Sequence, residues 1–143
     1  MRVMGLDIGE RRIGVALSDP EGIIASALKV LEKKSNDDAL REIIVLASER
    51  QVGCIVVGLP RSLDGSLGKQ AHDVQAFVKL LEQRIELPVV TWDERLTTVA
   101  AERIMIEAGM RRDKRKKHRD SLAAALILQG YLDREKSRIS GQE

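Results

Sequence analysis

The chain opens with the stretch Met4-Gly5-Leu6-Asp7-Ile8-Gly9, in which an acidic residue ends an apolar run and a glycine follows it. This pattern predicts a buried strand that delivers the Asp7 carboxylate to a glycine turn. Two more acids stand in similar settings, because Glu94 follows another apolar run and Asp120 heads a helix-like stretch. Three such carboxylates can together hold a divalent metal ion.

The length and composition are those of one globular domain. The chain has 143 residues, of which 43% are hydrophobic and 32% charged. We expect a single domain over residues 1–136 and a frayed tail over 137–143. No apolar run is long enough to cross a bilayer and no export signal stands at the amino terminus, so we expect a cytoplasmic protein without a membrane partner.

The order of apolar segments predicts an α/β fold. Three initial strands are expected to pair antiparallel, and two later strands to extend the sheet in parallel, which gives a mixed five-stranded sheet with helices on both faces. The predicted strands are 2–8, 13–18, 23–30, 54–57 and 89–92. Four helices are predicted. The first follows the cap residue Ser35, and the second carries the apolar residues Val74, Phe77, Val78 and Leu81. The third is capped by Thr97 or Thr98 and packs through Ala101, Ile104, Met105 and Ala108, and the fourth runs from about Asp120 to Glu135.

The types of possible ligand favour magnesium or manganese over zinc. Mg²⁺ prefers hard oxygen ligands and keeps several waters, so a few carboxylates suffice. Zinc prefers sulfur and nitrogen, and this chain has one cysteine, Cys54, and two well-separated histidines, His72 and His118. Cys54 lies in an apolar run and is interpreted as core filler, and no role is assigned to His118.

A basic segment precedes Asp120. Runs of charge are usually solvated loops, but positive charge beside a predicted site for divalent metal would attract a polyanion, so we predict nucleic-acid contact. The only aromatic residues are Phe77, Trp92 and Tyr131, too few for stacking platforms, and recognition should therefore follow backbone and shape. The predicted contact residues are Arg111, Arg112, Lys114, Arg115, Lys116, Lys117 and Arg119, offset only by Asp113.

Structural explanations compete with the functional ones. Acids at strand ends often pair with arginine, as Glu94 could with Arg95 or Arg11, and Asp120 could simply cap its helix. Glycines flank a predicted loop that either approaches a phosphate closely or only turns the chain, and both interpretations stay open. These glycines are Gly58, Gly65 and Gly68.

Four ordered blocks of the sequence resemble one family. The blocks are Asp7-Ile8-Gly9 with Ile13-Gly14-Val15-Ala16, Val56-Val57-Gly58-Leu59-Pro60, Asp93-Glu94-Arg95-Leu96-Thr97-Thr98, and Asp120 with Ala123-Ala124-Ala125-Leu126-Ile127-Leu128. They resemble the YqgF-like family, which is described as Holliday-junction-resolvase-like and as a pre-16S rRNA nuclease. The resemblance covers residues 1 to about 136. It implies an RNase H-like fold and an acidic triad of Asp7, Glu94 and Asp120.

Several functions remain in competition. The first is a two-metal-ion endonuclease, dependent on Mg²⁺ or Mn²⁺, that cuts structured nucleic acid, with 5′-end processing of pre-16S rRNA in ribosome biogenesis as the favoured role. A four-way DNA junction resolvase is the closest alternative and needs a twofold homodimer, whereas an RNase could be a monomer. A non-catalytic RNA-binding ribosome-assembly factor would bind without turnover. An ATPase of the actin or sugar-kinase type would need a second lobe.

Overall fold

The structure is a computed structural model that describes residues 1–62, 64–96 and 112–140, with the backbone alone for 112–120 and 140. The predicted helix capped by Thr97 or Thr98, the basic residue Arg111 and the end of the tail lie outside these residues. Within them, none of the helices has the length and apolar character that a membrane span requires.

A single mixed sheet forms the centre of the molecule. The first three strands pair antiparallel, and the last two add to the other side of the first strand in parallel. The predicted five-stranded arrangement is therefore confirmed, with the strand order β3-β2-β1-β4-β5. The strands are β1 (Arg2–Ile8), β2 (Arg12–Ser18), β3 (Ala25–Glu32), β4 (Val52–Leu59) and β5 (Val89–Asp93).

Helices cover both faces of the sheet, as predicted. Helices α1 (Asn36–Glu49) and α2 (Lys69–Arg84) share one apolar core with Met4, Leu6 and Ile8, the alternate residues of β1. Ser35 caps α1, because its hydroxyl accepts a hydrogen bond from the Asp38 N–H at 3.1 Å. Helix α3 (Arg112–Ser140) packs on the opposite face and forms a second, smaller core with β-strand residues such as Ala16 and Val56.

Several element boundaries differ from the prediction. Strand β3 begins at Ala25 rather than Ile23, because Asp19 accepts hydrogen bonds from the N–H groups of Ile23 and Ile24 and holds both residues in the turn. The same bonds lower the pKa of Asp19.

The last helix is longer than predicted. It begins at Arg112 and ends at Ser140, whereas the sequence indicated a helix from about Asp120 to Glu135 and a basic loop before it. The expected loop was wrong because arginine and lysine favour helices, and neither glycine nor proline interrupts residues 112–129. The basic residues from Arg112 to Arg119 therefore belong to the first turns of α3, and part of the predicted tail is helical.

Helix α3 approaches β1 so closely that only glycine fits beneath it. A Cβ atom on Gly5 would lie 2.8 Å from Leu128 Cβ and 2.9 Å from the Ala124 carbonyl oxygen. Neither neighbour can move without displacing the helix, because one is backbone and the other is the first atom of a buried side chain.

Gly5→Ala is therefore expected to destabilise the protein by about 2 kcal/mol or more, since it forces α3 away from the sheet. Urea unfolding followed by circular dichroism measures this change. Gly68→Ala is the control, because no atom of the described residues, apart from Gly68 and its two chain neighbours, lies within 4 Å of the position its Cβ would take. Equal stability of the two variants would contradict the close approach.

Candidate active site

Asp7 lies near the carboxyl end of β1, on the face that α3 covers. It pairs with Gly14 of β2 and is the second residue after Gly5. Alternate residues of a strand point to the same face, so Asp7 shares the α3 face with Gly5, while Ile8 points into the core beneath α1 and α2. The predicted delivery of this carboxylate to the end of a strand is thus what the fold produces.

Glu94 begins a short 3₁₀ helix, Glu94–Leu96, directly after β5. Its Oε1 lies 2.7 Å from the position that a Cβ on Gly58 of β4 would take, and the Ile127 side chain from α3 also occupies that position. Gly58 therefore leaves room for Glu94 to turn inward under the helix. The predicted exit into a loop at Gly58 was two residues early, because β4 continues to Leu59 and pairs there with Asp93.

The carboxyl groups of Glu94 and Asp7 interact directly. Burial, the negative charge of Asp7, a hydrogen bond with Asp7 and the charge of Asp93 together raise the pKa of Glu94 to about 8. The hydrogen bond favours the protonated form, in which the Glu94 hydroxyl donates to Asp7. The fold thus holds together two acids that are far apart in the sequence, at a half-buried position where it is unfavourable for the two to be charged at the same time.

Asp120 belongs to the helix that crosses this face. It lies one turn before Ala124, whose carbonyl oxygen stands over Gly5, and directly before the buried Ser121. Its side chain is outside the described part of the structure. Among the side chains that are described, no group of three or more His, Cys, Asp or Glu residues could hold a metal ion.

Arg95 pairs with Asp93 rather than with Glu94. Its Nε–H donates to both Asp93 carboxylate oxygens at 3.0 and 2.9 Å, and its backbone N–H donates to Oδ1 at 3.0 Å. These bonds lower the pKa of Asp93. The sequence offered an ion pair between Glu94 and Arg95 as a structural alternative to metal binding. The structure corrects this, because the Arg95 guanidinium contacts Asp93 instead.

Comparison with known proteins identifies the family. A family model described as "RuvX: Holliday junction resolvase" matches residues 1–134. The chain belongs to the RuvX family. A Desulforamulus reducens protein named "Putative pre-16S rRNA nuclease" is 48% identical over 133 residues, 93% of this chain and 97% of the relative. A Thermoanaerobacter pseudethanolicus protein of the same name is 48% identical over 139 residues, 96% of this chain and 100% of the relative.

Solved structures of Holliday junction resolvases share the fold. RuvC of T. thermophilus in complex with a Holliday junction substrate superposes with a TM-score of 0.61 at 15% identity, covering 95% of this chain and 96% of that chain. The fowlpox virus Holliday junction resolvase gives a TM-score of 0.55 at 12% identity, covering 93% and 99%. The predicted RNase H-like fold is confirmed, and membership in the RuvX family makes the chain a nuclease.

The three glycines at the predicted loop, for which both a phosphate approach and a plain turn were left open, have different settings in this RuvX-family chain. Gly58 is a strand residue beneath Glu94. Gly65 has a positive φ of 88° in the loop after β4, a conformation that favours glycine. Gly68 is the residue before α2 and is exposed.

A cleft lies on the other side of the β1 terminus. Its volume is about 480 Å³, and two lysines line it, Lys33 after β3 and Lys69 at the start of α2. The Lys33 ammonium donates to the Gly9 carbonyl oxygen at 3.4 Å and lies 5.6 Å from the centre of the Phe77 ring. The cleft also contains acidic side chains, Glu10 and Asp73, so its walls carry both signs of charge.

The raised pKa of Glu94 predicts how stability depends on pH in metal-free protein. Its folded pKa of about 8 exceeds the ordinary value of 4.5. The stabilising contribution is therefore complete below about pH 4.5 and is lost as the pH rises through about 8. Because the side chain is only partly buried, the loss should be about 1–2 kcal/mol.

Glu94→Gln should escape this loss, because its amide stays neutral and can still donate to Asp7. With EDTA present, the variant should match the wild-type melting temperature near pH 5 and exceed it at pH 8.5. Glu82→Gln, at an exposed position of α2, serves as control. If the difference in melting temperature between Glu94→Gln and wild type did not change with pH, Glu94 would not be strained by Asp7.

Proposed function

We propose that the chain is a divalent-metal-dependent endonuclease that processes pre-16S rRNA, with Asp7, Glu94 and Asp120 as its catalytic acids. The contact between Asp7 and Glu94 is the observation that carries this proposal. Folding presses two carboxyl groups together at the carboxyl ends of parallel strands, where active sites of α/β sheets lie. The strain of that contact, seen in the pKa of about 8 for Glu94, is what a bound cation would relieve.

The donor atoms fit magnesium or manganese. Asp7 and Glu94 offer only oxygen, and Asp120 in α3 is the third acid that would complete the set. Zinc fits poorly, because His72 is exposed on α2 and Cys54 lies partly buried in β4, where burial raises the pKa of its thiol. When bound, Mg²⁺ or Mn²⁺ would offset the negative charge of the phosphate and lower the pKa of a water molecule.

Residues of the chain would hold the cation and limit water at the site. Asp7 and Glu94 would hold the cation side by side, so Glu94 must lose its proton before both can ligate. Ile127 of α3 lies against the same position above Gly58 as Glu94 and limits water on that side.

The basic start of α3 and the lysine-lined cleft are the proposed contacts for the nucleic-acid backbone. Arg112 to Arg119 precede Asp120 in the same helix, and the cleft with Lys33 and Lys69 begins one residue after Asp7. The positive charge at the start of α3 would attract a polyanion and release its counterions. The two lysines of the cleft would contact phosphates between its acidic side chains. Such contacts read shape rather than sequence.

The RNA substrate is favoured by the names of relatives that match almost the whole chain at 48% identity. The four-way DNA junction is the second candidate, favoured by the description of the family model. Resolution of a junction requires two active sites related by twofold symmetry, whereas trimming of an rRNA precursor requires one.

Cleavage of precursor 16S rRNA, a four-way junction and a linear duplex should be compared with Mg²⁺, Mn²⁺ or EDTA. We expect cleavage of the precursor only with metal, and Asp7→Asn should lower the rate by about 100-fold or more because it removes a ligand charge. The control Asp38→Asn, in α1 beneath the opposite face, should cleave normally.

Circular dichroism should show that Asp7→Asn remains folded. Metal-independent cleavage, or full activity of this variant, would refute the proposed chemistry. Preferential cleavage of the junction would leave the chemistry in place and replace the substrate.

A further inference from the structure

A ring of hydrogen bonds encloses the backbone of Glu94. Asp93 and Arg95 are its two chain neighbours, and the Arg95 N–H donates to Asp93 Oδ1 at 3.0 Å. The chain between these atoms is the peptide of Glu94 itself, so the bond restricts its backbone dihedral angles, as an Asx turn does. The guanidinium of Arg95 then fixes the Asp93 carboxylate through both of its oxygens.

Three residues of the loop after β4, Arg61, Asp64 and Gly65, lie beside this ring. The Arg61 guanidinium donates to the Gly65 carbonyl oxygen at 3.3 Å, and its charge acts on Asp93. The charge of Asp64 acts on Arg95. A Cβ on Gly65 would lie 3.3 Å from Arg95 Nη1. The outer edge of the Arg95 guanidinium therefore faces the loop, while its inner edge is occupied by Asp93.

The direction of Glu94 depends on this arrangement. Its side chain must turn into the space above Gly58 to meet Asp7. In the described residues, Glu94 belongs only to the three-residue 3₁₀ helix Glu94–Leu96. A short 3₁₀ turn is a weak support for a side chain that must be directed accurately. The bond between the neighbours of Glu94 restricts its backbone further.

We propose that Asp93 and Arg95 are positioning residues, which form a clamp that holds Glu94 in the orientation that binds the catalytic cation. This inference rests on the proposed metal-dependent function and adds two residues to it. Neither residue is a ligand in this account. They act through the backbone of Glu94, as outer-shell partners orient ligands in other metal sites.

An electrostatic role and a positioning role of Arg95 predict opposite effects of its removal on the affinity for a cation, so the clamp can be tested. Arg95→Ala removes a positive charge beside the site, so a purely electrostatic role predicts tighter binding of a cation. Loss of a positioning residue predicts weaker binding instead. Arg61→Ala is the matched control, because it removes a similar charge from the same neighbourhood but leaves the bonds between Arg95 and Asp93 in place.

The affinity of the full-length chain for Mn²⁺, measured from the electron paramagnetic resonance signal of the free ion, separates these cases. We expect Arg95→Ala to bind Mn²⁺ about 10- to 100-fold more weakly than wild type, and Arg61→Ala to bind it equally or more tightly. Wild-type or tighter affinity in Arg95→Ala would overturn the proposal.

A second pair of variants holds charge constant. Asp93→Asn and Asp93→Ala remove the same charge, but asparagine keeps an oxygen that can accept from the Arg95 N–H. We expect weaker Mn²⁺ binding and faster hydrogen exchange of the Arg95 amide in Asp93→Ala than in Asp93→Asn. Equal exchange in the two variants would overturn the clamp.

The exchange measurement is made without metal, so it is independent of the proposed function. A wild-type chain that binds no Mn²⁺ would contradict the metal-dependent function, and the exchange rates would then decide the clamp by themselves.

Discussion

The contact between Asp7 and Glu94 is the constraint on which the site depends. Two negative charges at a half-buried position are unfavourable, so without a cation Glu94 keeps its proton until the pH approaches its pKa of about 8. Such strain persists only where the surrounding structure holds the groups in place. Here the parallel pairing of β1, β4 and β5 brings the two strand ends together, and α3 covers them.

Two glycines allow this covering helix to lie close to the sheet. Gly5 admits the backbone of α3 at Ala124, and Gly58 leaves the space that Glu94 and Ile127 share. Larger residues at either position would lift the helix or turn Glu94 outward. The same helix carries Asp120 and, in its first turns, the basic residues Arg112 to Arg119. One helix therefore carries both Asp120 and the proposed nucleic-acid contacts, and its packing places it on the face of the sheet that bears Asp7.

The sequence predicted the sheet and both described acids because those features depend on local pattern. Alternation and apolar runs located the strands, and the ends of β1 and β5 located Asp7 and Glu94. The start of α3 was missed because a run of arginine and lysine suits a loop and a helix alike. The pairing of Asp93 with Arg95 was also missed. The motif Asp93-Glu94-Arg95 contains both partners, but which acid pairs with the arginine depends on Glu94 turning inward above Gly58, a contact between distant segments.

The most direct test of the account is the location of a bound ion. Crystals of the wild-type protein soaked in Mn²⁺ at pH 8 should give an anomalous diffraction peak between the carboxylates of Asp7 and Glu94, within about 2.5 Å of an oxygen of each. An absence of manganese at these acids, with ordered ions bound elsewhere on the protein, would contradict the claim that this strained pair is a metal site.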